Sequence, residues 1–269
     1  MGGILSVYRN YKTFSNYVFQ ICHEQFFRFF CVGKKSMKTG KNKSDRGFVP
    51  KGQESGYEDS TINQLFDLLI SPKAFERTIG ARILASRLEF RSVDNLLLTL
   101  EREQKLYCKI EICRALAFFG KYSVTGLIQR LGKIGNNRHK KVSTKSFDKN
   151  SYPLPRDIAA RTLVKIGPIA LPELCDVLIE ANYFRISEAI DTIGFICRDG
   201  FHDHYLEKLM SCFVIWKTND LLRWKLFRAM SVFPASLPFL LEQMSIESNI
   251  YIKQEIERSI CLLKLKLKE

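Results

Sequence analysis

The chain has 269 residues, with 42 Lys and Arg against 28 Asp and Glu, for a formal net charge of +14. Hydrophobic residues make up 46% and charged residues 26%. That is enough apolar side chain to offset the entropy of ordering, which excludes a wholly disordered chain. No stretch reaches the roughly 20 uncharged apolar residues of a membrane-spanning helix.

Residues 1–32 are expected to hold an amphipathic helix. The stretch YVFQICHEQFFRFFCV (17–32) places Val18, Cys22, Phe26, Phe29 and Phe30 on one face, with Gln20, Glu24 and Arg28 opposite. Residues 33–56 lack apolar periodicity and read as a flexible basic linker carrying Lys34, Lys35, Lys38, Lys41, Lys43, Arg46 and Lys51. An apolar helix beside a polybasic run is also a two-signal device for an anionic membrane surface. MGGILS at the start matches a myristoylation pattern through Gly2 and Ser6. Two readings stay open here: residues 5–32 pack on the first repeat as a cap, or the helix and the basic linker engage membrane.

From Tyr57 the apolar spacing of three and four continues to Leu267, and no segment alternates with period two. Asp59, Ser60 and Thr61 are placed to cap the first of these helices. Six helices superpose on one apolar anchor: Leu84, Leu116, Leu163, Ile193, Met230 and Ile260. Two residues before each anchor stand Arg82, Arg114, Arg161, Asp191, Arg228 and Arg258. Seven before stand Arg77, Lys109, Arg156, Ile186, Arg223 and Lys253. Those basic residues are candidates for pairing with neighbouring repeats or with an acidic ligand. The Pro pairs of GPIALPEL (Pro168, Pro172) and FPASLPFL (Pro234, Pro238) lie 66 residues apart. Each pair suits a turn followed by a helix start. Anchors recurring about every 30 residues, with two helices each, predict an all-α fold: an α-solenoid of about six helix pairs over residues 57–269. A basic loop, residues 136–154, interrupts it with Arg138, Lys140, Lys141, Lys145 and Lys149.

RDIAARTLVKIGPIALPELCDVL (156–178) resembles the short HEAT-like repeat of the phycobilin-lyase type. The likeness is fair over 77–131, weak over 184–269, and covers about three-quarters of the chain. It implies an armadillo-like superhelix that acts as a binding scaffold. Some DNA glycosylases share such repeats, with a basic aromatic groove that Trp216, Trp224, Arg223, Lys225 and Arg228 could mimic. HEAT-like hydroxylases bind iron through several His-Glu pairs, whereas His23-Glu24 is the one such pair here.

No motif for a catalytic, metal or cofactor-binding set occurs. His202, Asp203 and His204 read as a solvated helix start. The cysteines form no CxxC pair, and the early apolar stretch lacks a cleavage site, so reduced thiols in a cytoplasmic protein are expected. Residues 1–56 and 138–156 together carry +12 of the net +14, leaving the repeats nearly neutral. That weakens nucleic acid as a partner. The expected role is a non-enzymatic scaffold, without cofactor, for a protein or peptide. The alternatives are a nucleic-acid binder of the glycosylase type and a peripheral membrane adaptor.

Overall fold

A computed structural model describes residues 43–145, 151–199 and 203–267. The chain divides into Met1–Asn42, which lies outside the described residues, and Lys43–Glu269. Among the described residues the regular structure is helical and no strand occurs. Twelve α-helices follow in order. The first six are α1 (Ile62–Ile70), α2 (Ala74–Ser86), α3 (Val93–Arg102), α4 (Leu106–Phe118), α5 (Lys121–Ile128) and α6 (Ile158–Ile166). The second six are α7 (Leu171–Val177), α8 (Tyr183–Cys197), α9 (His204–Trp216), α10 (Asp220–Met230), α11 (Leu237–Ile246) and α12 (Ile250–Lys266).

Local chemistry accounts for most helix starts. Thr61 and Gln64 close a capping box on α1, with Thr61 Oγ1 accepting from the Gln64 amide and Gln64 Oε1 from the Thr61 amide. Asn182, Asn219 and Asn249 cap α8, α10 and α12, each eleven residues ahead of its anchor. Lys73 and Lys105 hold that position for α2 and α4. The exception is α6, capped by Asp157 only six residues ahead of Leu163. The insertion has replaced its first turn. Arg156 is therefore an exposed loop residue and not part of a helical row. At the far end Gly167, with φ of +83°, stops α6 in a conformation that a side chain would strain. Pro168 and Pro234 each open a short 3₁₀ turn, and Pro172 and Pro238 sit in the first turn of α7 and α11.

Each odd-numbered helix packs on the even helix that follows it. The even helices also stack in sequence, α2 on α4, α4 on α6, and so on to α12. The odd helices α1, α3, α5 and α7 form a parallel series. All six anchors lie on even helices, five fully buried and Ile260 at 6% exposure. Each such side chain contributes about 1.5–3 kcal/mol through burial. Eleven of fifteen residues of α8 and nine of eleven of α10 are buried, against two of thirteen in α9. The even helices thus form a central layer. Within it α8 and α10 are buried nearly all round, and α2 and α4 also meet residues outside the helical pairs. Those residues belong to a segment that the sequence presents as an appendage.

Candidate functional site

The even helices carry charge in register. Three residues before the Arg row, on the same helix face, stand Ile79, Glu111, Ile158, Glu188, Lys225 and Glu255. Stacking brings one helix's row against the next. Arg82 reaches Glu111 at 3.1 Å, and Arg114 holds the same carboxylate at 3.2 Å. Arg228 meets Glu255 at 2.9 Å, and Arg258 meets it at 2.5 Å. Between these two clusters the polarity reverses. Where α8 presents Glu188 and Asp191, α10 presents Lys225, whose ammonium lies 2.9 Å and 2.8 Å from the two carboxylates. It also donates to the Ser187 carbonyl at 3.1 Å. The Lys225 side chain is 0% exposed. Burial works against its charge, but Asp191 and Glu188 outweigh it and hold the ammonium above its ordinary range. Burial pushes Glu188 up.

A second set ties helix starts to the preceding pair. Arg77 on α2 grips Glu103, just before α4, at 2.7 Å, and Arg223 on α10 grips Glu247, just before α12, at 2.9 Å. Both arginines also donate to a carbonyl six residues back, Ser71 and Lys217. Glu103 further accepts from the amides of Gln104 and Lys105. Burial opposes the charged form, but Arg77, Cys108 and the Lys105 amide prevail and lower its pKa from 4.5 to about 2. A depressed carboxylate adds stability above its unfolded value and loses it as pH falls toward the folded one. Stability should therefore drop by about 2–3 kcal/mol more between pH 5 and 2 in the parent than in Glu103→Gln. Urea titrations across that range check this, and equal slopes would contradict it.

Two segments cover the central layer. Residues 43–57, expected to belong mostly to a flexible linker, lie against α2 and α4. Thr78 donates to the Gly47 carbonyl at 2.7 Å, and Arg82 to the Val49 carbonyl at 3.0 Å and to Glu54 at 2.9 Å. The Phe48 and Tyr107 rings meet edge-on at 5.2 Å. The insertion lies against α8 and α10. His139 stands edge-on to Trp224 at 5.0 Å, with the Arg228 guanidinium also 3.9 Å from the Trp224 ring. Tyr152 meets Phe195 at 6.1 Å. Its phenol fills a notch at Gly194, where an added Cβ would lie 2.2 Å from Tyr152 Oη and 2.5 Å from Cζ. Burial drives His139 down to about 3, with Lys225, Arg156 and Arg228 adding to the effect and Asp191 opposing it. Its imidazole is neutral at pH 7.

The predicted contact residues scatter. Phe26, Phe29, Phe30, Lys34, Lys35, Lys38 and Lys41 lie outside the described residues, as do Gly2 and Ser6. Lys43 is exposed, with its ammonium 5.8 Å from the Phe48 ring. Arg138 is half-buried over Phe184 at 5.4 Å, whereas Lys140, Lys141 and Lys145 are exposed. Arg77 and Arg223 are held in the ion pairs above, and Lys109 and Lys253 are half-buried. Trp224, Lys225 and Arg228 are buried beneath the insertion, so no open aromatic-basic surface forms from them. Asp203 and His204 are exposed at the start of α9, and His202 lies outside the described residues. Among the described residues no cluster of three His, Cys, Asp or Glu side chains could hold a metal. Burial raises the thiols of Cys113 and Cys175 to about 11 and those of Cys197 and Cys212 to about 12, so none is a ready nucleophile. No helix among the described residues is long and apolar enough to cross a membrane.

The anchor register places Asp191 in its row but does not single out Glu188, Lys225 and Glu255. A signal was present: the row turns acidic at Asp191 just where the row three residues earlier, one helix on, turns basic at Lys225.

No protein-family model and no curated protein matches the chain. One solved structure that is similar is the crystal structure of an engineered protein, 17% identical. The match covers 76% of this chain and 96% of that one at a TM-score of 0.36, too low to bear on fold or role.

Proposed function

We infer that the chain is an α-solenoid of about six HEAT-like helix pairs serving as a non-enzymatic scaffold for a protein or peptide partner. The observation that carries this reading is neighbour-to-neighbour packing. Each even helix rests on the even helices before and after it and on its own odd helix, the arrangement of a quasi-one-dimensional array. The charged groups of the central layer are spent on one another, which leaves them to hold repeats in register. Large apolar side chains stand in solvent on the later outer helices and turns: Ile179 at 76% exposure, Val214 at 68% and Ile246 at 67%. On this reading they are the side chains that the partner covers. The free buried thiols agree with a reducing, cytoplasmic setting.

The test is affinity purification of the full chain from its native source, with Val214→Glu/Ile246→Glu in parallel. A protein recovered in stoichiometric amount with the parent and lost with the variant is expected. The reading falls if no protein depends on these positions.

A further inference from the structure

The insertion between α5 and α6 is built as a separable piece. One side chain closes its neck: Asp157 Oδ2 accepts from the Gly132 amide at 3.2 Å, while Oδ1 caps α6 through the Ala160 amide at 2.9 Å. Neither bond uses the loop beyond the neck, so the flanking helices have their own closure. Compact loops with tied ends are frequent carriers of function.

The loop's described residues occupy a shaped seat. Arg138 lies over Phe184, His139 against Trp224, and the Tyr152 phenol fills the Gly194 notch. A glycine inside a helix costs stability unless something needs the space, and here the phenol takes it. Yet the seat is imperfect in polar terms. Tyr152 is 6% exposed, and its Oη has no hydrogen-bond partner among the described residues. The same holds for His139 Nδ1 and for Asp191 Oδ1, whose carboxylate acts on both His139 and Tyr152. Each buried polar atom left without a protein partner opposes closure. Segments held this way open more readily than the core beneath them. Lys140, Lys141 and Lys145 stand outward and make no part of the seat.

We propose that this loop is an intramolecular occupant of a peptide seat on α8 and α10, displaced by a partner segment of like chemistry: a guanidinium and an imidazole followed by a tyrosine. The proposal rests on the scaffold reading and names its site, its partner chemistry and its self-blocking control.

Replacing residues 138–153 with a short Gly-Ser link keeps the neck and empties the seat. The probe is a fluorescent synthetic peptide spanning residues 136–155, followed by anisotropy. It should bind the excised chain saturably and at least about tenfold more tightly than the full chain, whose own loop competes at high effective concentration. Tyr152→Ala in the peptide, or Gly194→Ala in the excised chain, should weaken binding by about tenfold or more. Equal binding to both chains, no binding to a folded excised chain, or indifference to both substitutions would overturn the proposal. Hydrogen exchange on the full chain supplies a second readout. The amides of 138–145 should exchange through local opening, faster than those of α8, and exchange only upon global unfolding would sink the idea. Peptide binding reads the seat directly, so a failed co-purification at Val214 and Ile246 leaves it standing, and the reverse also holds.

Discussion

Lys225→Met is expected to destabilise the protein by about 3–5 kcal/mol, the cost of leaving buried carboxylates without their counter-charge. Glu188 and Asp191 share that ammonium, and the Glu188 and Lys225 side chains are at most 1% exposed. Met matches the Lys stem in length and removes only the charge and its three donors. The loss should therefore be electrostatic and not a cavity effect. Adding Glu188→Gln and Asp191→Asn should recover more than half of it, since the remaining groups are neutral. Urea denaturation of the parent, single and triple variants checks the pattern. A single variant within 1 kcal/mol of the parent would mean that the cluster is hydrated in solution. The alkaline side follows from the raised Lys225 pKa. The contribution is complete below the ordinary lysine value and declines as pH rises through the higher folded one, whereas the Met variant should show no such decline.

Gly194→Ala is expected to cost about 2–3 kcal/mol in the parent chain, because a methyl group there collides with the Tyr152 ring inside a closed seat. In a Tyr152→Ala background the same change should be neutral or stabilising by up to about 1 kcal/mol, the usual gain of Ala over Gly inside a helix. Such a reversal of sign isolates one contact across 42 residues of sequence. Thermal or urea unfolding of the four members of the cycle measures it. A cost that persists without the phenol would place the clash within the helical array instead. Tyr152→Phe removes the Oη, which has no partner among the described residues, and keeps the ring, so it should leave stability unchanged or raise it by about 1 kcal/mol.

The helical array was legible because its signals are local. Thr61, Asn182, Asn219 and Asn249 cap helices through amides two or three residues away. The anchors Leu84 to Ile260 repeat because each even helix needs the same buried stripe. The candidate site was legible only in part. Arg77 and Arg223 stood out as basic residues at helix starts, but their acids, Glu103 and Glu247, lie 26 and 24 residues on. Arg156 was misplaced because the insertion replaced the first turn of α6 and moved it off the helix. Basic content suggested solvated segments for 43–56 and 136–154. Gly47, Val49 and Tyr152 are nonetheless buried, since a few apolar groups per segment suffice to dock a chain whose lysines stay in water.

By itself, then, the sequence determined where the helices of this protein run, where they stop and which stripe each one buries, because backbone periodicity and capping act within a turn or two. Only the tertiary structure decided which charges meet and what lies on the central layer. Glu188 and Lys225 are 37 residues apart, and the seat of Tyr152 is a space between helices that exists only once they have stacked.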